Sequence, residues 1–135
     1  MVVIEERDLG DRVVVEGHLP RDEYVELLLR SDVVLSMATQ EFFGIAMVEA
    51  IAAGCVPVLP DGLSYPEVIP PQWHEVALHD RSGTGPGDHL RSVLTDLHAA
   101  RRAVEGLAAT MQRFDWSALA PVYDERLERL ALTGA

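Results

Sequence analysis

The chain has 135 residues, 48% of them hydrophobic and 24% charged, which gives room for one globular domain with its own core. No apolar run approaches the roughly 18–20 residues that span a bilayer, and the amino terminus lacks the basic and apolar regions of a signal peptide. A net charge of −11 excludes an extended basic face for gripping nucleic acid or anionic lipid, and a single cysteine, Cys55, excludes an internal disulfide and suits a reducing cytoplasm.

The predicted elements alternate. Arg12–Gly17 contains Val13-Val14-Val15, a β-branched run closed by glycine, and reads as a strand. Leu19-Pro20 ends it, with Pro20 suited to opening a helix. That helix, Arg21–Arg30, places Tyr24, Leu27 and Leu28 on one face. Asp32–Ser36 is apolar without alternation, as in a central parallel strand covered on both sides. A polar loop, Met37–Glu41, leads into a helix over Phe43–Ala53, and Gly54 stands where helices stop in a left-handed turn. Val56–Leu59 is the next buried strand. Asp61–Pro71 is a loop with one helical turn at Tyr65–Ile69, and Val76–His79 is a short fourth strand. A flexible stretch, Ser82 to Gly87, precedes a helical remainder. Asp88–Phe114 is two helices or one bent one, and Ser117–Leu130 is another, capped by Ser117.

Strand, helix and strand joined by short links define an α/β chain with a Rossmann-like parallel sheet and flanking helices. Ligands collect at the carboxyl ends of such strands, and Met37–Phe43 is a loop of that kind. Within and after it, Glu41 and Glu49 bracket the amino terminus of the helix. A rise of 1.5 Å per residue puts them about 12 Å apart at most. That span matches an extended nucleotide-diphosphate sugar. One carboxylate would take sugar hydroxyls and the other ribose hydroxyls, while free amides and the helix dipole favour the diphosphate. Gly44 would let the ligand approach the backbone. The spacing alone is weak, since two glutamates eight apart arise by chance and a glutamate near a helix start stabilises it anyway.

The stretch Glu41-Phe42-Phe43-Gly44-Ile45-Ala46-Met47-Val48-Glu49 resembles the E-x-F-G-x-x-x-x-E signature of retaining glycosyltransferases of family 4, which have the GT-B fold. Gly54-Cys55-Val56-Pro57-Val58 resembles that family's G-x-P-V strand, and Tyr65-Pro66-Glu67-Val68-Ile69-Pro70 its P-E-x-x loop. Together these residues look like the branch of tRNA-queuosine α-mannosyltransferases and their bacterial relatives. The likeness runs from about Val13 to Pro70, with Phe114-Asp115-Trp116 leading into the last helix. It implies a partial carboxyl-terminal domain of the GT-B fold over residues 1–135, with helices over about 88–132. It implies Glu41 as the catalytic residue beside the reacting carbon, Phe43, Gly44 and Ile45 at sugar and diphosphate, and Glu49 at the ribose. The implied donor is GDP-mannose and the implied acceptor a tRNA, with no metal and no other cofactor.

Two departures qualify this. Many relatives carry Pro-Ser where this chain has Met37-Ala38. The family's basic pair and its amino-terminal domain have no counterpart here, so the isolated chain is expected to bind donor weakly and not to turn over. The rival readings are a non-catalytic nucleotide-binding or assembly module built on the same fold, and a GT-B epimerase, against which the Tyr-Pro-Glu loop argues. His18, after Gly17, either faces the ligand or is an ordinary polar loop residue; Glu67 either caps a helical turn or lines the sugar pocket. Cys55 reads as a packed small residue, and His74, His79, His89 and His98 show no metal-ligand spacing.

Overall fold

The computed structural model describes residues 10–81 and 85–133. The expected contributions of Met1–Leu9 and of Ser82–Thr84 lie outside these residues.

The strand Val56–Pro60 (β2) is buried at every position and is the centre of a three-stranded parallel sheet. Val33–Leu35 (β1) pairs with it in the register Val33 to Val56, and Leu78–His79 (β3) pairs on the other side, Leu59 to Leu78. Two prolines in a central strand are unusual, because each lacks a ladder donor. The register explains Pro57. Val56 and Val58 bond toward β1, through Val56 N–H to Asp32 O and Ser36 N–H to Val58 O. Pro57 therefore faces the β3 side, and β3 begins only opposite Leu59.

Alternation along β2 feeds two cores. Val56 and Val58 pack with Val93, Leu90, Leu97 and Ala100, which lie on α5 (Gly85–Thr95) and α6 (Leu97–Ala103). On the other face Leu59 packs with Val48 and Ile51 of α2 (Ile45–Ala52) and with Leu107 of α7 (Leu107–Thr110). Tyr65, Val68 and Ile69 complete that cluster from α3 (Tyr65–Val68) and the residue after it. The helix Arg21–Arg30 (α1) has the predicted limits, with Pro20 just outside as its cap. Gly54 ends α2 at φ 100°.

Several expectations fail for physical reasons. Val13–Val15 is not a strand: Val14 is 88% exposed and no ladder pairs with the segment among the described residues. A β-branched run has intrinsic preference but no partner to bond. Among the described residues β1 likewise has a neighbour on one side only, with Leu35 at 42% exposure. Val76 and Ala77, half of the expected fourth strand, belong to a helical turn, α4 (His74–Ala77), so β3 is only two residues long. Gly85, Pro86 and Gly87 form the first turn of α5 rather than a linker. The helical remainder breaks twice, at Asp96, whose side chain accepts from Ala99 N–H at 2.8 Å, and at Gly106, with φ 84°. The last helix, α8, runs Trp116–Thr133. Its cap is Asp115, not Ser117: the Asp115 carboxylate accepts from the Ser117 amide at 2.8 Å and from the Ser117 hydroxyl. These two bonds hold the Asp115 carboxyl below its ordinary range.

Candidate functional site

Gly44 decides the geometry at the head of α2. It caps the helix at φ 83°, ψ 42°, a left-handed conformation natural only to glycine. A Cβ there would lie 2.9 Å from Tyr65 Cε1 and 3.6 Å from Glu41 Cγ. Thus the glycine admits the Tyr65 ring, in addition to any ligand. The helix starts at Ile45, two residues later than the Phe43 start read from the sequence. Gly44 O receives Met47 and Val48 N–H, which leaves the amides of Ile45 and Ala46 outside the ladder, as at any helix amino terminus.

Glu41 stands before this terminus and folds back on its own loop. Its Oε1 accepts from the amides of Phe42 at 3.0 Å and Phe43 at 3.2 Å. The Phe43 amide, expected to meet the ligand, is therefore engaged within the chain. Its ring packs edge-on against Phe114 with centroids 5.2 Å apart, and the Arg113 guanidinium lies 4.5 Å above Phe114. Phe42, by contrast, is fully exposed and Ile45 is 66% exposed.

Glu49 lies one turn further along α2 and faces α1. Arg21 Nη1 donates to its Oε1 at 2.8 Å, and the Tyr24 hydroxyl donates to its Oε2 at 2.9 Å. Arg21 also sits 5.5 Å over the Tyr24 ring. Burial, and then the bond to Glu49, push the Tyr24 phenol above its ordinary value. Sequence reading placed Tyr24 on an apolar face and gave Arg21 no part. The signal available was their i, i+3 spacing, which stacks both on one side of α1.

His18 is exposed on a cleft of about 550 Å³ that it shares with Val15, Gly17, Leu19, Arg21, Tyr24 and Leu27. The structure thus brings His18 beside the two partners of Glu49. Glu67 is exposed in the first turn of α3, and its carbonyl accepts from Arg113 at 3.4 Å. It is separate from that cleft.

Two further groups support the site and were missed. Ser36, at the carboxyl end of β1, shares a buried 2.8 Å hydrogen bond with the Tyr65 hydroxyl, tying that strand end to the loop after β2. His79 and Arg81 border a smaller cleft with Met37, Ala38, Thr39, Pro60 and Pro86, where the carboxyl ends of all three strands converge. His79 Nδ1 donates to Asp80 O at 2.9 Å, and its buried Nε2 has no partner among the described residues. Cys55 is a packed residue, as expected: it is 2% exposed, its thiol donates toward Leu28 O and Ser31 O, and burial raises its pKa. His74 likewise serves the fold, Nε2 donating to Ile69 O at 2.7 Å. Among the described residues no three His, Cys, Asp or Glu side chains are grouped so as to hold a metal ion, and no helix is long and apolar enough to cross a membrane.

A parallel sheet between helices, with its strand-to-helix loops gathered at one edge and an acidic residue on either side of a glycine-capped helix start, has the layout of a Rossmann-like α/β domain. Sucrose-phosphate synthase from Thermosynechococcus elongatus has this fold, with a TM-score of 0.80 at 21% identity over 99% of this chain and 34% of that one. The fold is therefore that of the GT-B glycosyltransferases. The chain matches the family described as glycosyl transferases group 1 over residues 2–105, and belongs to that family. Over 62 residues it is 52% identical to the tRNA-queuosine alpha-mannosyltransferase of Drosophila melanogaster, a match covering 46% of this chain and 16% of the fly protein. The chain thus spans a minor part of both relatives.

Proposed function

We propose that this chain is the donor-binding part of a retaining glycosyltransferase and takes a nucleotide-diphosphate sugar, with GDP-mannose as the donor. The observation that carries this is the arrangement around α2. A carboxylate stands on either side of a glycine-capped terminus whose Ile45 and Ala46 amides have no helical acceptor. Glu41 would contact the sugar near the reacting carbon. The amides and helix dipole would stabilise the diphosphate as it leaves, a charge-stabilising role that needs no net positive protein. Glu49 would hold the ribose, and the cleft around His18, next to Glu49's partners, would receive the base. The net charge of −11 opposes a polyanionic acceptor. An RNA acceptor, as in the fly relative's name, would therefore be held by a companion GT-B domain.

A second reading, a non-catalytic module of the same fold, draws support from one feature: both glutamates are already hydrogen-bonded within the chain. Calorimetry separates the two. The chain is expected to bind GDP and GDP-mannose weakly and in preference to UDP-sugars, and Glu49→Ala should reduce that binding. Silence at millimolar nucleotide, or binding indifferent to Glu49→Ala, would favour the non-catalytic module.

A further inference from the structure

The two donors to Glu49 differ in what they contribute. The Arg21 side chain is 70% exposed, and an ion pair of that kind is weak and readily exchanged for water. Tyr24 is partly buried, carries a rigid ring, and keeps its proton because burial and the adjacent carboxylate disfavour the phenolate. It is therefore a permanent donor at a fixed place. An ionised carboxylate has about four acceptor positions. The chain fills one on each oxygen, leaving one on each for a ligand. Two free acceptor positions on neighbouring oxygens suit two hydroxyls on neighbouring carbons.

We propose that Tyr24 is a positioning residue that sets the plane of the Glu49 carboxylate for a vicinal diol, making the site selective for ribonucleotides over 2′-deoxyribonucleotides. This rests on the donor-site reading above. Without the Tyr24 hydroxyl the carboxylate can turn about its terminal torsion, and the two acceptor positions no longer match the spacing of the diol. A ligand with one hydroxyl loses little by that rotation, since a single bond can follow the turned group.

The test is calorimetry of the chain with GDP and 2′-deoxy-GDP, for the wild type, Tyr24→Phe and Arg21→Gln. The wild type should prefer GDP. Tyr24→Phe should weaken GDP by about three- to tenfold, the size of one hydrogen bond, and 2′-deoxy-GDP by less than about twofold on the same scale. Arg21→Gln should keep the preference. A purely structural Tyr24 would lower both ligands alike, and that result overturns the proposal. So does equal affinity of the wild type for the two nucleotides, which needs no variant to fold and leaves the donor-site reading standing. Absence of binding to either nucleotide at millimolar concentration removes the donor-site reading itself.

Discussion

Gly44→Ala probes the head of α2 through two separable costs. The first is conformational: an alanine held at φ 83° and ψ 42° loses roughly 1–2 kcal/mol relative to glycine. The second is steric, because the new Cβ would sit 2.9 Å from Tyr65 Cε1, inside any observed contact distance. Tyr65 is 1% exposed and its hydroxyl is bonded to Ser36, so the ring cannot swing away without giving up a buried hydrogen bond, about 1–2 kcal/mol more. The sum is roughly 2–4 kcal/mol, a large share of the 5–15 kcal/mol that a domain typically has. Gly54→Ala is the control. It carries a similar backbone cost at φ 100°, but among the described residues no atom beyond its chain neighbours lies within 4 Å of the added methyl. At about 4 °C per kcal/mol, Gly44→Ala should lower Tm by roughly 8–16 °C and Gly54→Ala by roughly 4–8 °C. Thermal unfolding followed by circular dichroism measures both. Equal losses would show that the Tyr65 contact contributes nothing and that the loop yields freely.

Two other outcomes follow from the same structure. Asp96→Ala removes the acceptor for Ala99 N–H where α5 gives way to α6, and should cost about 1 kcal/mol in urea unfolding, with Asp96→Asn recovering most of it. At alkaline pH the Tyr24 phenol and the Cys55 thiol both titrate above their ordinary values of 10.0 and 9.0 in the folded chain. The folded state then binds more protons than the unfolded state, so stability is complete below about pH 9 and falls as pH rises through the folded values. The urea midpoint should drop as pH rises from about 9 through the folded values, and Tyr24→Phe with Cys55→Ala should flatten that drop; an unchanged slope in the double variant would refute the assignment.

The family was legible because its marks are local. Glu41 to Glu49, Gly54 to Val58 and Tyr65 to Pro70 are short stretches in which residue type and spacing carry the likeness, and family membership agrees with it. The limits of α1 were equally readable, since helix periodicity and a preceding proline act within one segment. Strand identity was legible at Val33–Leu35 and Val56–Pro60 but not throughout. Val13–Val15 has the composition of a strand and lacks a ladder, whereas Pro57 has the wrong composition and sits in the central strand because β3 starts too late to need its N–H. Pairing is settled between segments, so single-segment propensity cannot decide it.

The same division holds at the site. Sequence alone determined that the two acidic residues bracket a helix start; it put Gly44 inside the first turn, whereas the structure makes Gly44 the left-handed cap before it. Only tertiary structure decided what these residues touch. Tyr24 and Arg21 come 25 and 28 residues before Glu49, and Tyr65 follows Ser36 by 29. No periodicity links positions so far apart. They meet because parallel strands return the chain to the same edge of the sheet after each helix, and burial there demands a partner for each polar atom.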